Sequence, residues 1–154
     1  MHDRAVAFRE RVRDRHGLDV EVETFPEGTK TAEDAAAAVG CDVGQIASSL
    51  VFDADGDLVV VVTSGANRVD ESRLASRLGA SAASMADPET IREVVGWSIG
   101  GVPPLCHDAD LPVYLDESLL AYDTVWAAAG APTAVFPIAP SDLEALAGAT
   151  VVEV

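Results

Sequence analysis

Lysine is almost missing from this chain: Lys30 is the only one in 154 residues, and ten basic residues in all face 26 acidic ones, a formal charge of −16. Cysteine is nearly as scarce. Cys41 and Cys106 stand far apart with no second cysteine near either, which fits neither a zinc-ligand spacing nor a disulfide framework and leaves two reduced thiols. No stretch approaches the ~18 to 20 uninterrupted apolar residues that a bilayer-spanning helix needs. The amino terminus, with Arg4, Arg9, Glu10, Arg11 and Arg13, lacks the apolar segment of a signal peptide. These absences predict a cytoplasmic protein with neither membrane nor metal. There is also no internal repeat, low-complexity tract or linker, because proline and glycine are spread as punctuation between short elements. Residues 1–154 therefore read as one domain, a size at which folding buries roughly 70% of the surface of the unfolded chain.

The charge bears on habitat and partners. At ordinary ionic strength a net −16 on so small a domain repels itself, whereas in molar salt the screening length falls to ~3 Å and that cost largely disappears. A halophilic cytoplasm is the leading explanation; an acidic surface for a basic partner and plain solubility are the alternatives. Nucleic-acid affinity rests on Lys and Arg contacts to phosphate, so tight independent binding of a nucleic acid is not expected. Five of the nine arginines, Arg4, Arg9, Arg11, Arg13 and Arg15, crowd the opening segment, with Arg4, Arg11 and Arg15 close to one helical stripe. Glu10 and Asp14 interrupt them, which reads as a solvated helix with local ion pairs, a small basic patch being the alternative.

Local signals give an alternation of short elements. Asp3 to His16 spaces Val6, Ala7, Phe8 and Val12 among charges as a surface helix does, and Gly17 stops it. A strand through Val20 and Val22 follows. Thr31 caps an alanine-rich helix, with Asp34 three positions later and Gly40 after its last turn. Ser49 to Asp53 and Leu58 to Thr63 flank Asp55-Gly56, a dipeptide suited to a tight hairpin. Asp70 caps a helix ending at Gly79, and Asp87-Pro88 starts another ending near Gly96. Leu111 to Leu115, Thr124 to Ala128, Ala134 to Ile138 and Thr150 to Val154 read as strands, and Ser141 with Glu144 as a capping box for a helix through Leu143 and Leu146. The irregular mixture predicts an α/β (mixed α+β) domain on a mixed sheet.

Four stretches, in this order, resemble the YbaK and prolyl-tRNA-synthetase-associated editing domains: Thr29-Lys30-Thr31-Ala32, Gln45-Ile46-Ala47-Ser48-Ser49-Leu50-Val51-Phe52, Gly100-Gly101-Val102-Pro103-Pro104, and Leu111-Pro112-Val113-Tyr114-Leu115-Asp116. Ser64-Gly65, Arg68-Val69-Asp70, Leu78-Gly79 and Asp142-Leu143 with Leu146 agree between them. The resemblance implies a mixed, partly barrel-like sheet wrapped by helices, with a cleft for the aminoacylated end of a tRNA. It implies a trans-acting deacylase that cleaves the ester of mischarged tRNA, such as cysteine or alanine on proline tRNA, without metal or organic cofactor. The partners it implies are the terminal adenosine and acyl group, together with a prolyl-tRNA synthetase. The alternative reading is a binding module that keeps the pocket and has lost turnover.

Ester cleavage needs donors aimed at the oxygen where negative charge grows, and backbone N–H groups suit that because they need no reorganisation. Gly100 and Gly101 allow close backbone approach, and Pro103 and Pro104 stiffen the segment without donors, so Gly100, Gly101 and Val102 are the candidate ester or ribose binders. A tight loop between strands is the plainer reading. Ser48 departs from the family, which usually carries a lysine there to hold the substrate; a neutral hydrogen bond contributes ~0.5 to 1.5 kcal/mol against ~1.5 to 3 for a charged one. Lys30 is chemically suited to compensate, a solvated loop cation being the alternative, and Thr31, Ser49 and Pro103 are the remaining candidate contacts in the matching stretches, with Ser48 and Ser49 otherwise two small residues entering a strand. Cys106-His107 also departs from the pattern; adjacent side chains in extended chain point to opposite faces, which argues against a thiolate and base pair. His107 alone is a candidate contact or base, and Asp116 a candidate acceptor of the substrate amino group or else a helix cap. The 134–138 segment lacks the acidic residue of relatives selective for cysteinyl substrates.

Overall fold

The computed structural model describes residues 2–25 and 31–154. Helix α1 (Asp3–His16) buries Ala5, Phe8 and Val12, one face at helical spacing, and ends where Gly17 adopts a φ of 64°. Val6 and Ala7 stand half-buried beside that face. Helix α2 (Ala32–Val39) carries the expected Thr31–Asp34 capping box and stops at Gly40. Strands β2 (Ile46–Ala54) and β3 (Asp57–Ser64) form the expected hairpin. Both turn residues, Asp55 and Gly56, have positive φ of 55° and 95°, the geometry that matches the twist of the flanking strands.

Helix α3 (Glu71–Leu78) is capped by Asp70 and stopped by Gly79. A second Asp cap, Asp87, opens helix α4 (Pro88–Thr90), which continues as a π-helical stretch, Ile91–Val95, up to Gly96. Two expectations are corrected, and one strand stands where none was expected. Val20 packs on the core with no ladder partner among the described residues, and the strand lies further on, as β1 (Glu23–Thr24). Helix α5 (Pro140–Ala147) starts before Ser141, because Pro140 is already suited to the first helical position; Ala139 is the cap and the Ser141–Glu144 box does not form. Strand β4 (Ala83–Met85) has no apolar alternation to announce it. It is held through Asp55, whose carboxylate accepts from Ser81 N, Ser81 Oγ and Ala82 N.

The remaining strands are β5 (Val113–Asp116), β6 (Val125–Ala128), β7 (Ala134–Ile138) and β8 (Thr150–Val152). They complete an eight-stranded mixed sheet of order β1-β7-β6-β2-β3-β5-β8, with β4 added to β2 off that path. The fold is thus a single mixed α/β domain. Ala47, Val51, Val60 and Val62 face the main core with Phe8, Trp97 and Phe136, while Phe52, Val59 and Val61 pack against Leu74 on the other face.

One consequence of the order is local to β2. Along one edge it pairs with β3 throughout, but the other edge is shared. There β6 runs parallel to it at Ile46–Ala47, and β4 runs antiparallel at 52–54. Between those two ladders the edge is unpaired among the described residues.

Asp116 is 1% exposed. Its Oδ2 accepts from Thr63 Oγ1 at 3.2 Å, Ser64 N at 2.9 Å and Asn67 Nδ2 at 3.0 Å, and its Oδ1 accepts from Ser118 N at 2.9 Å. Burial alone would raise its pKa, but the donors from Asn67, Ser64 and Ser118 outweigh burial and hold the carboxyl below its ordinary value. Asp116 is a cap and a tie between β3 and β5, and it does not reach the cavity described below. Asp116→Asn is expected to cost about 2 to 3 kcal/mol in urea unfolding at pH 7. Because the folded pKa is depressed, the contribution is complete above the unfolded value of about 4 and is lost as pH falls through the folded one. The gap between the two proteins should therefore begin to narrow as pH falls below about 4 and go on narrowing through the depressed folded pKa.

Candidate active site

The open part of the sheet is a cavity of about 350 Å³. Ser48 and Ser49 line it from β2, Gly100 and Val102 from the loop after the π-helical stretch, and Thr31 from the cap of α2. Its walls are apolar, with Leu50, Met85, Ile99, Trp126 and Val135 prominent. Thr31, Ser48 and Ser49 supply the only hydroxyls, and no ionisable side chain lines it among the described residues. The glycine-bearing loop and the first hairpin strand therefore share one space. Lys30 lies outside the described residues.

The loop residues differ in what they offer. Gly100 has a φ of 86°, a conformation open mainly to glycine. Gly101 N–H donates to Ser98 O at 2.9 Å, so that amide is occupied. A Cβ on Gly101 would lie 2.8 Å from Ala131 Cα and 2.9 Å from its N and C. Gly101 is thus where the loop crosses another backbone, not one of the donors. Among the described residues the amides of Gly100 and Val102 have no acceptor. Val102 is 2% exposed, and a buried N–H without a partner is uncommon because it forgoes a hydrogen bond.

What holds this loop is the arginine stripe of α1. Arg4 donates to Gly96 O, Arg11 to Cys106 O at 3.1 Å and to Asp108 Oδ1 at 2.9 Å, and Arg15 to His107 O at 3.1 Å. Trp97 is fully buried and donates Nε1–H to Cys106 O at 3.0 Å. The Arg4 and Arg11 guanidiniums lie 4.3 Å and 4.9 Å from the centre of its ring, within range of cation–π attraction. Asp108 N–H closes the base of the loop on Val95 O at 2.9 Å. The solvated helix with local ion pairs expected for these arginines is corrected: Arg13–Asp19 is such a pair, but Arg4, Arg11 and Arg15 grip carbonyls of the loop. Neither this clamp nor Trp97 was foreseen. Its signal in the sequence was the stripe itself, beside the buried Phe8 and Val12.

His107 and Pro103 belong to the loop's interior. His107 is 8% exposed, and its Nε2 lies 2.7 Å from Pro103 O. Burial pushes the imidazole pKa down, opposed by the bond to Pro103 and supported by Arg15. The ring is neutral at pH 7, and since a carbonyl only accepts, Nε2 carries the proton. His107 lines a second cavity of about 300 Å³ with Arg15 and Cys106, away from Ser48 and Gly100. Burial also raises the Cys106 thiol, with Arg15 and Arg11 acting in the opposite sense. A thiolate nucleophile is therefore disfavoured, in line with the sequence.

Comparison with known proteins fits this geometry. Residues 26–146 match the model of the aminoacyl-tRNA editing domain. The chain belongs to that family. It is 35% identical over 126 residues to the uncharacterized protein YwhH of Bacillus subtilis, covering 80% of this chain and 78% of that one. It is 32% identical over 90 residues to proline–tRNA ligase of Lysinibacillus sphaericus, covering 58% of this chain but only 16% of the ligase. A crystal structure described as a candidate trans-editing enzyme for prolyl-tRNA synthetase superposes with a TM-score of 0.92 at 41% identity, over 99% of this chain and 97% of that one. This editing domain thus shares its whole fold with a free-standing protein and part of its sequence with a synthetase.

Proposed function

We propose that this editing domain is a trans-acting deacylase that hydrolyses the ester of mischarged aminoacyl-tRNA in the cytoplasm, on tRNA of the proline type and alongside a prolyl-tRNA synthetase. The observation that carries the proposal is the pair of unpartnered amides, Gly100 and Val102, on a cavity whose other side is Ser48 and Ser49. An ester carbonyl seated against the two N–H groups gains most when its oxygen becomes an oxyanion, so the donors favour the transition state over the substrate. The apolar walls select a small uncharged acyl side chain, cysteine or alanine among them. With no ionisable side chain in the described lining, orientation of the attacking water falls to the terminal ribose hydroxyl of the substrate or to Lys30 from the adjoining segment.

A second reading, a binding module without turnover, is favoured by one observation: Ser48 stands at the cavity where the family pattern has lysine. Incubating the protein with alanyl- and cysteinyl-tRNA of the proline type, in dilute and in molar salt, separates the two. Release of free amino acid supports the deacylase; retention of intact acyl-tRNA supports the module. Ser48→Lys is expected to raise turnover about tenfold, since a charged hydrogen bond exceeds a neutral one by roughly 1.4 kcal/mol. An unchanged rate would remove Ser48 from the site, and an unchanged rate in Lys30→Ala would remove Lys30.

A further inference from the structure

The break in the pairing of β2 has a direction that can be read from the hydrogen bonds on either side of it. Val51 O accepts from Ala86 N at 2.9 Å, so the polar groups of Val51 face the β4 edge. Ile46 O accepts from Gly65 N at 2.8 Å, on the opposite, β3 edge. Backbone groups alternate along a strand, and the β2–β3 register runs from Ala47 to Ala54 without a bulge. Val60, opposite Val51, donates away from β2 to Pro112 O at 2.9 Å, as that alternation requires. The N–H and C=O of Ser49 therefore both face the open edge. There β6 has ended at its pairing with Ala47, β4 has not begun, and Ser49 has no backbone partner among the described residues. Its Oγ is also buried, with no hydrogen-bond partner among the described residues.

A donor and an acceptor on one residue, facing a cavity, form half of an antiparallel bridge. The other half must be a single unit bearing an N–H and a C=O on one carbon. A peptide strand does not fit, because the neighbouring positions on this edge are taken: Ala47 by β6 and Val51 by Ala86. An aminoacyl group does fit. Resting on the editing reading above, we infer that Ser49 recognises the aminoacyl unit through its main chain, its C=O accepting from the substrate α-ammonium and its N–H donating to the acyl carbonyl oxygen beside the loop amides. Recognition of this kind is indifferent to the side chain of the amino acid and requires its amino group. It gives a site without a carboxylate in its described lining a way to hold an ammonium.

The probes are two non-hydrolysable amides of 3′-amino-3′-deoxyadenosine, one alanylated and one propionylated, which differ only in the α-amino group. The alanyl amide should bind at least tenfold more tightly in titration calorimetry. In amide hydrogen exchange followed by NMR, the free protein should exchange Ser49 faster than Leu50, whose N–H faces β3, and the alanyl amide should slow Ser49. Ser49→Ala removes the hydroxyl and keeps the main-chain pair, so the preference for the alanyl amide should persist. Ser49→Pro deletes an N–H that no strand uses, which edge positions tolerate, but keeps the C=O, so it should weaken both amides about equally and leave the preference in place. Equal binding of the two amides, or a Ser49 amide that stays unprotected in the wild-type complex, overturns the inference whatever the variants do. Ester cleavage with equal binding leaves the deacylase standing and removes Ser49. A protected Ser49 amide in a protein that cleaves no acyl-tRNA keeps the pairing and removes the deacylase.

Discussion

Gly101→Ala is expected to lower kcat/KM for deacylation at least a hundredfold. The added methyl would sit 2.8 to 2.9 Å from three backbone atoms of Ala131, and a backbone flanked by β6 and β7 cannot swing aside as a side chain can. The loop must lift instead, carrying the Gly100 and Val102 amides with it. A misplacement of about 1 Å at reacting groups is enough for roughly a 10²-fold loss, and overpacking itself costs about 1 to 3 kcal/mol. Gly148→Ala is the control. Gly148 has a φ of 61°, and a methyl added there would meet nothing within 4 Å, so the variant should lose about 1 kcal/mol to left-handed backbone strain and keep full activity. A Gly101→Ala protein that folds and cleaves at the wild-type rate would remove the loop amides from the reaction.

Trp97→Ala should be the most destabilising single change in the molecule, about 3 to 5 kcal/mol in urea unfolding. Its ring is fully buried, meets Phe8 edge-on with centroids 6.0 Å apart, and lies beside the Arg4 and Arg11 guanidiniums. Removing it empties the space between α1 and the loop and leaves Cys106 O with Arg11 alone. Trp97→Phe keeps a ring for Phe8 and the arginines and drops only the N–H, so it should cost about 1 kcal/mol from the hydrogen bond plus a smaller packing term. Equal losses in the two variants would mean that the indole N–H, and not the ring, carries the clamp.

How much of this was legible in the sequence depended on range. The Thr31–Asp34 box, the Asp70 and Asp87 caps and the Asp55-Gly56 turn each act over two to four residues, and all stand where the sequence puts them. The Gly100 loop and the Ser48–Ser49 stretch were legible as a pair only through the family resemblance, and the structure brings them to one cavity. What was not legible is made by partners far apart in the chain. Asp116 takes donors from Ser64 and Asn67, and Arg11 and Arg15 find carbonyls at Cys106 and His107, so no local pattern announces either. The same holds for Ser49, whose free edge exists because β6 and β4 each cover a different part of β2.

The arginines of α1 end mainly on carbonyl oxygens rather than on carboxylates. Dissolved ions weaken attraction between exposed opposite charges far more than a partly covered cation resting on a fixed dipole. Anchored in this way, the loop that carries Gly100 and Val102 is expected to yield less to added salt than an exposed pair such as Arg13–Asp19, even as the repulsion among the many surface acids rises and falls around it.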